Sequence, residues 1–145
     1  MTVIVWDGKV LASDAQSTNA GLKRKATKIR KIGGKLYGVS GDWDRGQMLF
    51  RWVEGGSKPE DWPEFQKNND DWVGLVEVRE DRSVWKYERV PVPYAVEEEY
   101  FAMGSGRDYA YGALAMGADA ETAVRIASTF DHGCGMGVLT LTLGD

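Results

Sequence analysis

The amino end constrains this chain more than any other stretch. Residues 3–6 form a short β-rich run, Asp7-Gly8 is a strong two-residue turn signal, and residues 9–14 read as the returning strand. With Asp7 and Gly8 as the turn, Trp6 faces Lys9, Val5 faces Val10, and Thr2 lies opposite Ser13, diagonal to Asp14. Thr2 follows Met1 and is small, so removal of Met1 is expected. It would leave Thr2 with both a hydroxyl and a free α-amine. The hydroxyl is a poor nucleophile without a neighbouring base. An α-amine titrates at about 7.7–8.0, which suits it to be that base. Lys28 opens a further strand and is a candidate cation for Asp14. A Thr2–Asp14–Lys28 cluster would keep hydroxyl and amine reactive, although the pattern alone also describes a surface hairpin with an exposed acid.

The rest of the chain sets limits on other chemistries. Its 145 residues read as a single domain, 1–145, long enough for a core. A net charge of −4 gives no reason to expect a nucleic-acid or membrane partner. One cysteine and one histidine exclude a disulfide framework and a Cys/His zinc site. With no signal peptide and no membrane-spanning apolar run, a cytoplasmic setting is the default. Eighteen glycines and six tryptophans suggest close-packed strands and aromatic contacts between layers.

Residues 15–22 read as a polar loop. Residues 23–35 are dense in Lys and Arg, but Ile29 and Ile32 alternate with them, so a half-exposed strand pairing with acidic groups of a neighbour is favoured over a nucleic-acid patch. Gly33-Gly34 turns the chain into a strand over 35–40. Asp42 is placed to cap a helix over 44–54, with Met48, Leu49, Trp52 and Val53 on one face. Gly55-Gly56 stops it. Residues 57–71 are polar, with room for one or two helical turns. A hairpin over 72–79 and 83–90 ends at Pro91 and Pro93. A short strand (100–103), helices over 107–116 and 120–131 with Asp119 as cap, a glycine loop (133–137) and a last strand (138–143) complete the chain. This order suggests sheets covered by helices.

Five blocks carry a resemblance: the hairpin from Trp6 to Asp14, Lys28-Ile29-Arg30-Lys31-Ile32, Val39-Ser40-Gly41, Gly104-Ser105-Gly106-Arg107-Asp108-Tyr109-Ala110, and Asp131-His132-Gly133-Cys134-Gly135. In this order and spacing the chain resembles a proteasome β-type subunit of the N-terminal nucleophile hydrolase superfamily, above all the bacterial HslV peptidase and the betaproteobacterial proteasome homologue. The resemblance implies an α+β, four-layer αββα sandwich with a shortened helical layer, since residues 57–71 stand where the family places a long helix. It implies Thr2 as nucleophile and its amine as proton shuttle, Asp14 and Lys28 as an ion pair beside it, and the Gly41 N–H as oxyanion donor. Ser105, Asp131 and Cys134 match the groups that support the amine. No metal or organic cofactor is implied. The implied partners are peptide or unfolded-protein substrates, identical subunits in a ring of twelve or fourteen, and a ring ATPase unfoldase.

Three departures stand out. The interval from Thr2 to Asp14 is shorter than is usual in the family; a hairpin trimmed equally on both strands would keep its facing, because the side-chain period is two. Cys134 stands where the pattern has serine, and a thiol is the weaker hydrogen-bonding group. Val3 replaces a second threonine. The competing expectations are a non-catalytic ring scaffold and a Cys134 nucleophile served by His132.

Overall fold

The computed structural model describes residues 2–67 and 73–144. The expected loss of Met1 and the expected start of a strand at Trp72 lie outside the described residues. The amino-terminal hairpin forms from β1 (Ile4–Trp6) and β2 (Val10–Asp14), but its register differs from the expected one. Trp6 pairs with Leu11, Val5 with Ala12 and Ile4 with Ser13, so Gly8 and Lys9, not Asp7 and Gly8, are the turn residues. The cause is local. An Asp7-Gly8 turn of the favoured type needs φ > 0 at both positions, whereas here only Gly8 takes it, at φ 98°. Asp7 is thereby free to cap the turn, its Oδ1 accepting from the N–H groups of Lys9 and Val10, both at 2.9 Å. Every partner shifts by two, so the facing survives. Asp14 now stands across from Val3, to whose carbonyl its N–H donates at 3.2 Å.

This hairpin is the centre of a four-stranded antiparallel sheet. Its edges are β10 (Phe101–Met103) on β1 and β11 (Val138–Thr142) on β2. The expected loop over 15–22 is instead most of a second hairpin, β3 (Gln16–Asn19) and β4 (Leu22–Lys25), turning at Ala20-Gly21 with φ 50° and 83°. Its polar sequence concealed it: these strands are held by ladder hydrogen bonds and bury little, so no apolar alternation marks them. A five-stranded antiparallel sheet runs in chain order through β5 (Ile29–Ile32), β6 (Lys35–Gly41), β7 (Val73–Val78), β8 (Val84–Tyr87) and β9 (Tyr94–Val96). The sequence reading had no β9. Pro91 and Pro93 stop the preceding strand, and the chain then returns as an exposed edge, the place in a sheet where nearby prolines are tolerated.

Three α-helices complete the described structure: α1 (Trp43–Glu54), α2 (Arg107–Ala115) and α3 (Ala120–Phe130). Asp119 caps α3 as expected, accepting from Thr122 N–H at 2.8 Å. Asp42 occupies the N-cap position of α1, yet its carboxylate pairs with Arg45 and caps no N–H. The buried face of α1 is Gly46, Leu49, Phe50, Trp52 and Val53. Met48, expected there, lies about 100° round the helix from Leu49 and is exposed. Two 3₁₀ turns follow, Pro59–Asp61 and Glu64–Lys67.

Strand alternation divides the core. Val3, Val5 and Ala12 pack against α2 and α3 through Ala110, Leu114, Ala123 and Val124. Their neighbours Ile4, Trp6 and Leu11 point the other way, onto Leu36, Val76, Val78 and Val84 of the five-stranded sheet. The far face of that sheet, with Tyr37, Val39, Val73 and Leu75, packs against Leu49, Phe50, Trp52 and Val53 of α1. Both faces of β1 are therefore buried, and each Val, Leu or Ile so buried contributes about 1.5–3 kcal/mol. The amino-terminal residues are pinned between two apolar clusters, and that fixes Thr2.

Candidate active site

Thr2 enters the site just before β1 and is buried. The turn Gly104-Ser105-Gly106, between β10 and α2, folds over it. Thr2 N lies 3.2 Å from Ser105 Oγ, to which it donates, and its carbonyl accepts from Gly106 N–H at 3.1 Å. Gly104 has φ 98°, and a Cβ there would fall 2.1 Å from the Thr2 carbonyl oxygen, so only glycine permits this approach. Ser105 Oγ donates in turn to Asp131 Oδ2 at 2.8 Å. Burial tends to raise the pKa of Asp131. The hydrogen bonds from Ser105 Oγ–H and from Gly133 N–H outweigh it and hold the carboxyl below its ordinary value.

The second group is an ion pair. Lys28, just ahead of β5, places Nζ 2.9 and 3.1 Å from the two oxygens of Asp14, and both side chains are almost wholly buried. A charged pair at this depth is costly unless its remaining hydrogen-bonding capacity is used. It is used by the main chain: Val3 N–H donates to Oδ1 at 3.1 Å, and Gln16 and Gly135 N–H donate to Oδ2 at 3.2 Å each. The last residue of β6, Gly41, sits at φ 120° just before Asp42, the N-cap residue of α1.

Thr2, Lys28 and Gly41 line one cleft of about 180 Å³ with Gln16, Ser17, Thr18, Asp42 and Trp43. A larger hollow of about 380 Å³, between α1 and Pro63, contains none of the expected site residues. Cys134 is buried with Sγ 3.9 Å from Ser105 Oγ. Burial, with the nearby carboxylates of Asp14 and Asp131, pushes its thiol up to about 12. A thiol in that state is not the thiolate that a cysteine nucleophile requires. All seven residues singled out in the sequence thus fall in one neighbourhood.

Two participants escaped the sequence reading. Gln16 is buried, and its Nε2 donates to Thr18 Oγ1 at 3.0 Å and to the His132 carbonyl at 3.1 Å, tying β3 to the 132–135 loop. Gly135 contributes both an N–H to Asp14 and a carbonyl that accepts from Ala15 N–H at 2.9 Å. Only their membership of polar or glycine-rich stretches marked them. Among the described residues no group of three or more His, Cys, Asp or Glu is placed to hold a metal ion. No helix among them is long and apolar enough to cross a membrane.

No protein-family model and no curated protein matches the sequence. Solved structures do match. Thiobacillus denitrificans BPH, a betaproteobacterial proteasome homologue, is similar at a TM-score of 0.68 and 17% identity, over 97% of this chain and 95% of that one. Its structure in complex with epoxomicin is similar at 0.68 and 16% identity, over 97% and 96%. Eukaryotic HslV from Trypanosoma brucei is similar at 0.69 and 18% identity, over 97% of both chains. Over 97% of its length, this chain has the fold of HslV and the betaproteobacterial proteasome homologue.

Proposed function

We propose that this chain is a threonine-type, proteasome-like peptidase of the N-terminal nucleophile hydrolase superfamily. In this reading the three apolar clusters are the interfaces of a four-layer αββα sandwich folded as one domain. The observation that carries it is the convergence on Thr2: the Ser105–Asp131 pair meets its nitrogen, and Lys28, paired with Asp14, lines its cleft.

Removal of Met1 would turn the Thr2 nitrogen into an α-amine already within reach of Ser105 Oγ. That amine takes the hydroxyl proton as Thr2 Oγ1 attacks a peptide carbonyl. The Lys28 cation favours the developing alkoxide. The oxyanion of the tetrahedral intermediate forms beside Gly41, where the start of α1 adds the positive end of a helix dipole. Collapse breaks the C–N bond, the amine returns its proton to the leaving nitrogen, and an ester on Thr2 remains. Water, deprotonated by the same amine, hydrolyses it. The proposed substrates are peptides or unfolded protein, and the proposed assembly is a ring of identical subunits served by a ring ATPase unfoldase.

Mass spectrometry with an epoxyketone probe tests this, because the probe reacts with a hydroxyl and an amine on one residue. The expected result is loss of Met1 and one adduct on Thr2, abolished in Thr2→Ala. An intact Met1 with no adduct would leave a ring scaffold in place of a peptidase.

A further inference from the structure

Two surface features remain outside the site. In β4, Lys23, Arg24 and Lys25 are all exposed and make no ion pair among the described residues, with Leu22 exposed beside them. Among the described residues their strand pairs only with β3, which leaves its outer edge without a strand partner there. Glu97, Glu98 and Glu99 are likewise exposed and without an ion pair among the described residues. Three consecutive cations match three consecutive anions in sign and number.

These patches cannot meet within one chain. The β3–β4 hairpin leaves the four-stranded sheet at the Asp14 end of β2. The acidic run leads into β10 at the opposite end, where Phe101 pairs with Trp6 and the Glu99 carbonyl approaches Gly8. β2 alone separates those ends by about 14 Å, more than a Debye length at physiological salt. We infer that the basic β3–β4 hairpin of one copy docks on the 97–99 acidic run of a second copy, head to tail. Such a heterologous contact closes into a ring when its rotation permits. It also reaches the site, because Ser17 and Thr18 of the same hairpin wall the cleft beside Thr2. A seated neighbour would hold that wall in place.

The inference rests on the ring part of the proposed function and makes it specific. Two charge-reversed chains test it, one carrying Lys23→Glu, Arg24→Glu and Lys25→Glu, the other Glu97→Lys, Glu98→Lys and Glu99→Lys. Sedimentation velocity gives the mass, and circular dichroism checks the fold. Each variant alone should fall to a single folded chain. An equimolar mixture should regain the wild-type mass, since both kinds of contact are then attractive, and a chain carrying all six changes should regain it alone. A wild type that assembles while both variants keep its mass overturns the docking contact and leaves the ring standing. A wild type that never assembles removes both. Retention of duplex DNA by wild type, lost in the first variant, would reassign the hairpin to nucleic acid.

Discussion

Two buried carboxylates, Asp14 in the four-stranded sheet and Glu77 in the five-stranded one, are satisfied in different ways. Asp14 receives three main-chain N–H groups and one lysine. Glu77 receives side chains only: Tyr37 Oη–H at 2.7 Å and Arg79 Nε–H at 2.6 Å. Tyr37 stands directly across from Glu77 in the strand register, and the Arg79 guanidinium lies over the Trp85 ring at 4.1 Å. The Glu77 cluster is thus a cross-strand pair extended along one sheet face, assembled from neighbours in the ladder. Asp14 is held by three separate segments that only the tertiary fold brings together. Main-chain donors hold the Asp14 carboxyl in position whatever the side chains do, so Lys28 can serve the cleft as well as its partner. At Glu77 the cation is consumed by local satisfaction.

The largest effect should come from removing each member of the Asp14–Lys28 pair. Asp14→Ala leaves a buried lysine without its ion pair and three N–H groups without their acceptor. We expect a loss of about 3–5 kcal/mol, read from urea midpoints, and no Thr2 adduct. Lys28→Met keeps the main-chain donors on Asp14, so stability should fall by only about 1.5–3 kcal/mol. Labelling of Thr2 should nevertheless slow by about 100-fold or more. Equal stability losses from the two variants would mean that the main chain does not hold Asp14 independently, and the contrast with Glu77 would collapse.

The same contrast explains what could be read from the sequence. Strand period and turn chemistry bring Asp14 near Thr2, whereas Lys28 is only a candidate on that reading, and its role, with those of Gly41, Ser105, Asp131 and Cys134, comes from the family resemblance. The face assignment survived a wrong turn at Asp7-Gly8 because the register moved by two residues. Gly8 as first turn residue was decided by Asp7 reaching back to two N–H groups, a side-chain choice that composition does not encode. The β3–β4 hairpin was missed because Gln16 to Asn19 carries no apolar alternation. Gln16 and Gly135 were missed because their roles exist only once β3 meets the loop after α3. Tyr37 and Glu77 drew no attention, since a cross-strand pair needs a register between strands far apart in sequence.

A smaller effect is expected at the other carboxylate. Glu77→Gln removes the charge while keeping the shape, and should cost about 1–2 kcal/mol without changing the Thr2 labelling rate. Its signature is in alkali. Burial, then the hydrogen bond to Glu77 and its negative charge, push the Tyr37 phenol well above its ordinary value. A phenol raised in the folded state adds stability that is complete below about pH 10 and fades as pH climbs toward the folded value. Wild type should therefore lose stability steeply above about pH 10, and Glu77→Gln less steeply. At about pH 11, folded Tyr37→Phe should show the same phenolate absorbance as folded wild type. An absorbance loss in that variant would show that Tyr37 titrates as an ordinary tyrosine and that Glu77 does not govern it.

Cys134 should matter least, although it lies beside Ser105 and Asp131. Its sulfur touches Ser105 Oγ only at 3.9 Å, while Ser105 already has Asp131 at 2.8 Å. Cys134→Ser should shift stability by no more than about 1 kcal/mol and the Thr2 labelling rate by about twofold. The thiol itself offers a sharper readout. Raising it from 9.0 to about 12 lowers the thiolate fraction by about a thousandfold at a given pH. Iodoacetamide should therefore modify Cys134 about a thousand times more slowly in the folded protein than in urea. Rapid modification of folded protein would mean that neither burial nor the Asp14 and Asp131 charges raise the thiol, and would return Cys134 and His132 to contention as the nucleophilic pair. Slow modification beside a fast adduct on Thr2 would place the reactivity of this cleft on the threonine that the main chain holds in position.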